Sequence, residues 1–150
     1  MRKPKILVSS CLLGLPARYN GAQDVHPLIE ALEEKYELIA VCPETLGGLP
    51  IPRPPAEIVG KRVIDKEGTD VTHEYEEGAQ RVLDIAKGLS IRLAVFQERS
   101  PSCGHGLIHD GTFTDGMVEG DGVCARLLLE NGIRVVGHTH IEELLSEMQE

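Results

Sequence analysis

Four short apolar runs with few polar interruptions are spread along the chain. Their residues follow one another without the polar alternation of a half-exposed strand, which is typical of parallel strands covered by helices on both faces. We therefore predict four buried strands. They are "KILVSSC" (5–11), "YELIAVC" (36–42), "IRLAVFQ" (91–97) and "IRVVG" (133–137).

Between these runs and after the last one, apolar residues recur at helical spacing. The spacing predicts helices over 24–36, from Thr72 to a left-handed stop at Gly88, over 121–132 with a stop at Gly132, and over a final stripe of Ile141, Leu144, Leu145 and Met148. Strands that alternate with helices indicate an α/β fold with right-handed crossovers. We expect a three-layer sandwich around a mostly parallel, roughly four-stranded sheet, Rossmann-like or flavodoxin-like.

Three segments between the predicted elements are rich in turn residues. Residues 41–58, "VCPETLGGLPIPRPPAEI", have neither a helical nor a strand period, and their five prolines stiffen the backbone. Residues 61–72 suggest a small hairpin or an excursion from the main sheet around Glu67-Gly68. The prolines and glycines of 98–116 predict that this segment has no regular structure.

Composition narrows the class of protein. A chain of 150 residues with 41% hydrophobic residues can fill one core, so we expect a single domain over 1–150. The 24 acidic against 15 basic residues give a net charge of −9, which repels phosphate backbones and disfavours nucleic acid as a partner. No apolar run approaches the roughly 18 residues of a membrane span. The beginning of the chain does not resemble a signal peptide, so we expect a cytoplasmic protein without membrane association.

The cysteines fall where a parallel sheet collects functional groups. Cys11 and Cys42 end the first two predicted strands, and Cys103 lies in the loop after the third. The carboxyl ends of parallel strands share one edge, so these three cysteines should converge there. Cys124 lies in the early turns of a predicted helix, where its apolar neighbours suit a buried side chain.

Spacing alone leaves the role of the cysteines open. Three readings compete: a shared metal site, isolated core cysteines, and a redox dithiol. No CxxC pair is present, which argues against a thioredoxin-like couple and the common zinc ribbons. Zinc and iron–sulfur clusters both accept thiolates. A nearby histidine could complete a Cys₃His zinc site, and the candidates are His105, His138 and His140.

Four motifs in order resemble the DUF523 family, which includes iron–sulfur-dependent thiouracil desulfidases. They are "SSCLLGLPARYNG", "VCPETLGGLPIPRPPAEI", "ERSPSCGHGLIHDGTF" and "GDGVCARLLLENGIRV", and together they span nearly the whole chain. The resemblance implies a [4Fe-4S] cluster held by Cys11, Cys42 and Cys103, with one iron not bound by protein. It also implies that Glu44 and Ser100 act on the substrate, and it does not make Cys124 a ligand.

The function expected from this resemblance is non-redox removal of sulfur from a thiolated pyrimidine or a similar small thioamide. The open iron would act as Lewis acid and sulfur acceptor, and hydrosulfide would be released. Glu44 would take a proton from the attacking water. Tyr19 and Asn20 could contribute to a pocket for a planar base, although Asn-Gly is also an ordinary turn signal. The alternatives are a structural zinc or iron–sulfur module and a sulfur-transfer protein.

One further basic residue has two readings. Arg53 lies between two prolines, Pro52 and Pro54. Its guanidinium could bind an anion, or it could simply pair with Glu57.

Overall fold

The computed structural model describes residues 3–13, 26–50, 53–97, 102–109, 111–114 and 116–147. Its strands and helices are, in chain order, β1 (Lys5–Ser9), α1 (Ile29–Lys35), β2 (Glu37–Val41), α2 (Pro43–Leu46), β3 (Ala56–Val59), β4 (Arg62–Asp65), α3 (Thr72–Gly88), β5 (Leu93–Phe96), β6 (Leu107–His109), β7 (Met117–Glu119), α4 (Val123–Glu130), β8 (Arg134–Gly137) and α5 (Ile141–Glu147). Short 3₁₀ turns, Ser10–Leu12 and His138–His140, follow β1 and β8. Among the described residues, no helix combines the length and the apolar composition needed to span a membrane.

The central sheet has four strands in the order β2-β1-β5-β8, and every pairing is parallel. Leu7 of β1 lies opposite Ile39 of β2 on one side and Ala94 of β5 on the other. The chain therefore leaves β1 in one direction to form β2 and later returns on the other side to form β5. The strand order reverses between β1 and β5, which is where α/β sheets of this type open a crevice.

Both faces of the sheet are covered by helices. Leu7 and Phe96 point into one apolar layer, which residues of α3 and α4 fill. Ile6, Val8 and Val95 point into the opposite layer, which residues of α1 and α5 fill. This alternation along β1 follows from the two-residue period of a strand. The predicted three-layer α/β sandwich is confirmed, whereas the single domain over 1–150 stays a prediction.

Two of the predictions of irregular structure are wrong in part. The segment 41–58 contains the helical turn of α2 and most of β3, and the segment 98–116 contains β6. Both strands belong to small antiparallel pairs outside the main sheet, β3 with β4 and β6 with β7. Strands of three or four residues are too short to show a period of two among prolines and glycines. The predicted excursion at 61–72 is confirmed. Its strand β4 pairs antiparallel with β3, which precedes it in the chain, and the turn between the two strands contains Gly60.

The end of α3 differs from the predicted left-handed stop at Gly88. Gly88 is the last helical residue, and Ser90 is the residue with positive φ, at 57°. The amide of Ile91 donates to Ala86 O at 2.8 Å and that of Ser90 to Lys87 O at 3.3 Å. These two bonds form a Schellman motif around Ser90, which satisfies carbonyls of the last turn. At the end of α4, Gly132 takes the left-handed position as predicted, with φ 80°.

α2 and α3 approach each other at two glycines. A Cβ atom on Gly78 would lie 1.8 Å from Pro43 O, and one on Gly47 would lie 1.9 Å from Glu74 O. Real Cβ atoms do not come this close to backbone, so only glycine allows the contact. The contact fixes α2, and with it Glu44, against α3.

We predict that Gly78→Ala lowers the free energy of unfolding by about 3 kcal/mol, the upper end of typical overpacking costs. The added methyl group meets backbone of Pro43, which cannot rotate away as a side chain would. Gly88→Ala in the same helix is the matched control, because a Cβ there meets nothing within 4 Å. It should be neutral or stabilise by about 0.5–1 kcal/mol. Urea unfolding measures both, and equal stability of the two variants would contradict the close approach.

Candidate functional site

Three residues follow directly on the carboxyl ends of adjacent strands. Cys11 lies in the 3₁₀ turn after β1, Cys42 comes immediately after β2, and Gln97 comes immediately after β5. Because the strands are parallel neighbours, these residues lie at one edge of the sheet, beside the reversal of strand order. The thiol of Cys11 donates a hydrogen bond to Gln97 Oε1, which joins the ends of β1 and β5.

The loop that carries Cys103 is anchored to the first turn of α4. The amides of Cys124 and Ala125 donate to Ser102 O at 2.9 and 3.0 Å, and the amide of Gly122 donates to Gly104 O at 2.7 Å. The first amides of a helix lack partners within the helix, and the carbonyl of Ser102 satisfies two of them. Cys103 itself is buried with 5% of its surface exposed, in the same apolar layer as Cys124.

The cysteine thiols influence one another's ionisation. Burial raises the pKa of Cys103, and the charge of Cys124 and, more weakly, those of Cys11 and Cys42 raise it further. A hydrogen bond with Ser9 acts in the opposite direction. Burial and the charge of Cys42 raise the pKa of Cys124. The structure thus brings the three cysteines predicted to converge together, with Cys124 beside them, and no disulfide joins any of the four.

This donor set fits an iron–sulfur cluster better than a single metal ion. In the described ranges, no group of three or more His, Cys, Asp or Glu side chains could hold one ion. A [4Fe-4S] cluster makes a different demand, since each cysteine binds its own iron and the sulfurs stand apart. The buried Cys103 thiol, whose ionisation is opposed by burial and by the neighbouring cysteines, also suits a cationic centre that neutralises a thiolate.

The histidines considered for a zinc site have other neighbours. His105 Nδ1 lies 2.7 Å from Asp121 Oδ1, and the same carboxylate oxygen accepts the amide of Gly106 at 3.1 Å. The ring of His138 packs edge-on against His26, with centroids 5.7 Å apart. His140 Nδ1 lies 3.3 Å from Glu143. Together with the absence of a single-ion site in the described part of the chain, these contacts count against a Cys₃His arrangement.

Glu44 is held by three side chains from distant parts of the sequence. Its Oε1 accepts the Tyr75 hydroxyl at 2.7 Å and Arg53 Nε at 3.2 Å, and its Oε2 accepts the Ser102 hydroxyl at 3.1 Å. The Glu44 side chain is 16% exposed and that of Arg53 only 4%. Glu44 is therefore a fixed, largely buried carboxylate and not a solvated loop acid.

Ser102 connects this carboxylate to the cysteines. Its hydroxyl oxygen lies 3.8 Å from Cys103 Sγ as well as within hydrogen-bond distance of Glu44. Glu44 is also only two residues beyond Cys42, in the first turn of α2. The carboxylate and the cysteines thus form one continuous site.

Tyr75 is a donor to Glu44 in this arrangement. Burial and the negative charge of Glu44 raise the pKa of the Tyr75 hydroxyl far above its ordinary value. The hydroxyl stays protonated, and it donates to the carboxylate.

Sequence reasoning missed part of this arrangement. Arg53 pairs with Glu44 and not with Glu57, whose Oε1 accepts the amides of Gly111 and Phe113 at 2.9 and 3.2 Å. Ser102 stands next to Cys103 in "SPSCG", and that adjacency was the signal that could have found it. Tyr75 sits in the apolar stripe of α3, where nothing marks it as functional. Three predicted site residues, Ser100, Tyr19 and Asn20, lie outside the described residues.

The chain is similar to a protein family, to a curated protein and to a solved structure. A model of the family described as 2-thiouracil desulfurase matches residues 6–140. The chain is 39% identical over 150 residues to "Uncharacterized protein YbbK" of Bacillus subtilis (strain 168), a match covering 93% of this chain and 99% of that protein. A solved structure titled "[4Fe-4S]-dependent thiouracil desulfidase TudS (DUF523Vcz)" is 42% identical, with a TM-score of 0.90 over 98% of this chain and 99% of the other.

We predict that Tyr75→Phe lowers the free energy of unfolding by about 1.5–3 kcal/mol, the usual loss for a hydrogen bond to a charged group. The variant removes the donor at 2.7 Å from Glu44 Oε1 and leaves the ring in place. Tyr36→Phe, in the opposite apolar layer, is the control. It should change stability by less than about 0.5 kcal/mol. Urea unfolding of both variants tests this, and a Tyr75→Phe protein as stable as Tyr36→Phe would rule out the restraint on Glu44.

Proposed function

The chain belongs to the 2-thiouracil desulfurase family, and from this we propose that it removes the sulfur of a small thiolated pyrimidine with the help of an iron–sulfur cluster. The observation that carries the proposal is the meeting of Cys11, Cys42 and Cys103 beside the restrained carboxylate of Glu44. The similarity to a [4Fe-4S]-dependent thiouracil desulfidase over 98% of the chain supports it.

Cys11, Cys42 and Cys103 would hold the [4Fe-4S] cluster, leaving one iron without a protein ligand. When bound, such a cluster supplies a Lewis acid that is soft enough to accept the sulfur of a thiocarbonyl. Cys124 is left out of this set because the family resemblance does not make it a ligand, although its side chain is buried in the same apolar layer as Cys103. A cluster of this type suits a reducing compartment, and a cytoplasmic location is therefore part of the proposal.

The reaction balances without net oxidation or reduction. The oxygen of water forms a bond to the thiocarbonyl carbon, the carbon–sulfur bond breaks, and a carbonyl and hydrosulfide remain. Both protons leave the water oxygen: Glu44 would take the first during the attack, and the second leaves when the tetrahedral intermediate collapses, so that one proton ends on the sulfur as hydrosulfide and the other passes to solvent. Tyr75 does not compete for the first proton, because its own hydroxyl stays protonated.

The surroundings of Glu44 serve to hold its geometry. Arg53 supplies a buried positive charge on Oε1, and its Nη1 donates to Pro50 O at 3.1 Å, which fixes the guanidinium to the proline-rich segment. Ser102 ties Oε2 to the loop of Cys103. A base held this firmly near the reacting atoms removes the need to order it during the reaction.

The remaining roles rest on the sequence pattern. Ser100 would donate a hydrogen bond or carry a proton to the ring nitrogen of the substrate, and Tyr19 and Asn20 would contact the planar base. The partner is a small thiolated molecule and not a nucleic acid, in keeping with the net charge of −9.

We predict that anaerobic reconstitution with iron and sulfide gives a brown wild-type protein, whereas Cys42→Ala takes up little iron. Cys124→Ala is the matched control, because it removes a thiol that interacts electrostatically with Cys42 but is not a proposed ligand, and this variant should still bind the cluster. Iron content and the absorbance spectrum measure the outcome. Stable zinc binding without iron uptake would favour a structural module instead, and equal iron loss in both variants would contradict the ligand assignment.

We predict that Glu44→Gln keeps the cluster but releases hydrosulfide from 2- or 4-thiouracil about 10²- to 10⁴-fold more slowly, the usual loss of a general base. Glu130→Gln, at the exposed end of α4, makes the same change away from the site and should keep wild-type activity. Sulfide release by the wild type without another protein would argue against a sulfur-transfer role. A fully active Glu44→Gln protein would exclude Glu44 as the base.

A further inference from the structure

Gln97 comes immediately after β5, at the edge of the sheet where Cys11 and Cys42 lie, and both its backbone and its side chain form hydrogen bonds. Its backbone N–H donates to Ser9 Oγ at 2.9 Å across the β1–β5 pairing, and its side-chain Oε1 accepts a hydrogen bond from the Cys11 thiol. Ser9 is buried, with 2% of its surface exposed, and it also forms a hydrogen bond with Cys103. Gln97 therefore contacts one proposed ligand directly and reaches a second through Ser9.

The direction of the Cys11–Gln97 bond depends on the state of the sulfur. A thiol has a proton to donate, and the carbonyl end of a carboxamide accepts it. A cysteine that binds iron has lost that proton, so its sulfur can only accept. The carbonyl oxygen would then face an acceptor, whereas a half-turn of the amide group would present an NH₂ donor at the same place.

We propose that Gln97 is a positioning residue that accepts a hydrogen bond from the Cys11 thiol before cluster binding and donates one to the Cys11 sulfur afterwards. This inference rests on the proposed function, because it needs Cys11 as a cluster ligand. A carboxamide can accept a hydrogen bond from the thiol with its oxygen and, after a half-turn of the amide group, donate one to the iron-bound sulfur with its NH₂. A glutamate of the same shape would meet only the first, since an ionised carboxylate accepts but does not donate.

The donated hydrogen bond has consequences apart from turnover. Hydrogen bonds to ligand sulfur are among the factors that set the reduction potential of an iron–sulfur cluster, since they withdraw electron density from the sulfur. Removing a group that orients a metal ligand typically lowers metal affinity by about 10- to 100-fold. Both quantities can be measured on the cluster-loaded protein without any substrate.

The test compares Gln97→Glu, Gln97→Leu, Gln97→Met and wild type after anaerobic reconstitution of the full chain. We expect Gln97→Glu to lose iron to excess EDTA about 10- to 100-fold faster than wild type. Gln97→Leu, which has neither donor nor charge, should keep more of the cluster but show a more negative midpoint potential in a redox titration. Solvent exposure of the cluster also affects its potential, so Gln97→Met, which fills a similar volume without a donor, should show the same shift as Gln97→Leu if the lost hydrogen bond is the cause. Gln80→Glu, an exposed glutamine on α3, makes the same charge change away from the crevice and should match wild type in both measurements.

The outcomes separate this inference from the proposed function. A wild-type protein that binds iron, with the Gln97 variants equal to it in iron loss and potential, would overturn the role of Gln97 alone. A wild type that takes up no iron would overturn the proposed function and this inference with it. If Gln97→Glu does not fold, the potential of Gln97→Leu still decides the question.

Discussion

The candidate site depends on compensating negative charge in a buried crevice. Burial and the charges of neighbouring cysteines raise the pKa of the Cys103 and Cys124 thiols, so thiolates are disfavoured there in the absence of a positive partner. An iron–sulfur cluster would provide that partner, and its binding would then stabilise the folded crevice. Under the proposed function, the buried Cys103 sulfur would be held as a thiolate only when the cluster is bound.

The negative charge of the Glu44 carboxylate, beside the cysteines, is compensated by protein side chains. Glu44 receives positive charge from Arg53 and two hydroxyl donors, from Tyr75 and Ser102. These partners belong to the proline-rich segment, to α3 and to the loop of Cys103, so the carboxylate joins three separate pieces of the chain. Because each donor is itself buried or anchored, little freedom remains to be lost when a substrate binds.

Backbone geometry allows this assembly. Glycine at positions 47 and 78 lets α2 lie against α3 at backbone distance, which brings Glu44 within reach of Tyr75. The prolines after α2 restrict the return of the chain, and Arg53 emerges between them to pair with Glu44. Prolines and glycines that first indicate an irregular loop therefore serve to place a functional side chain, and short antiparallel strands fit between them.

The amino-acid sequence by itself determined the layered sheet and the meeting of Cys11, Cys42 and Cys103. Apolar periodicity is a local signal, and parallel strands bring their carboxyl ends to one edge whatever the details of packing. Only the tertiary structure decided that Arg53 pairs with Glu44, that Tyr75 is a hydrogen-bond donor inside an apolar stripe, and that the side chain ending β5 contacts Cys11. These contacts depend on distances of a few ångströms between segments that are far apart in the chain. A local sequence pattern contains no information about such distances.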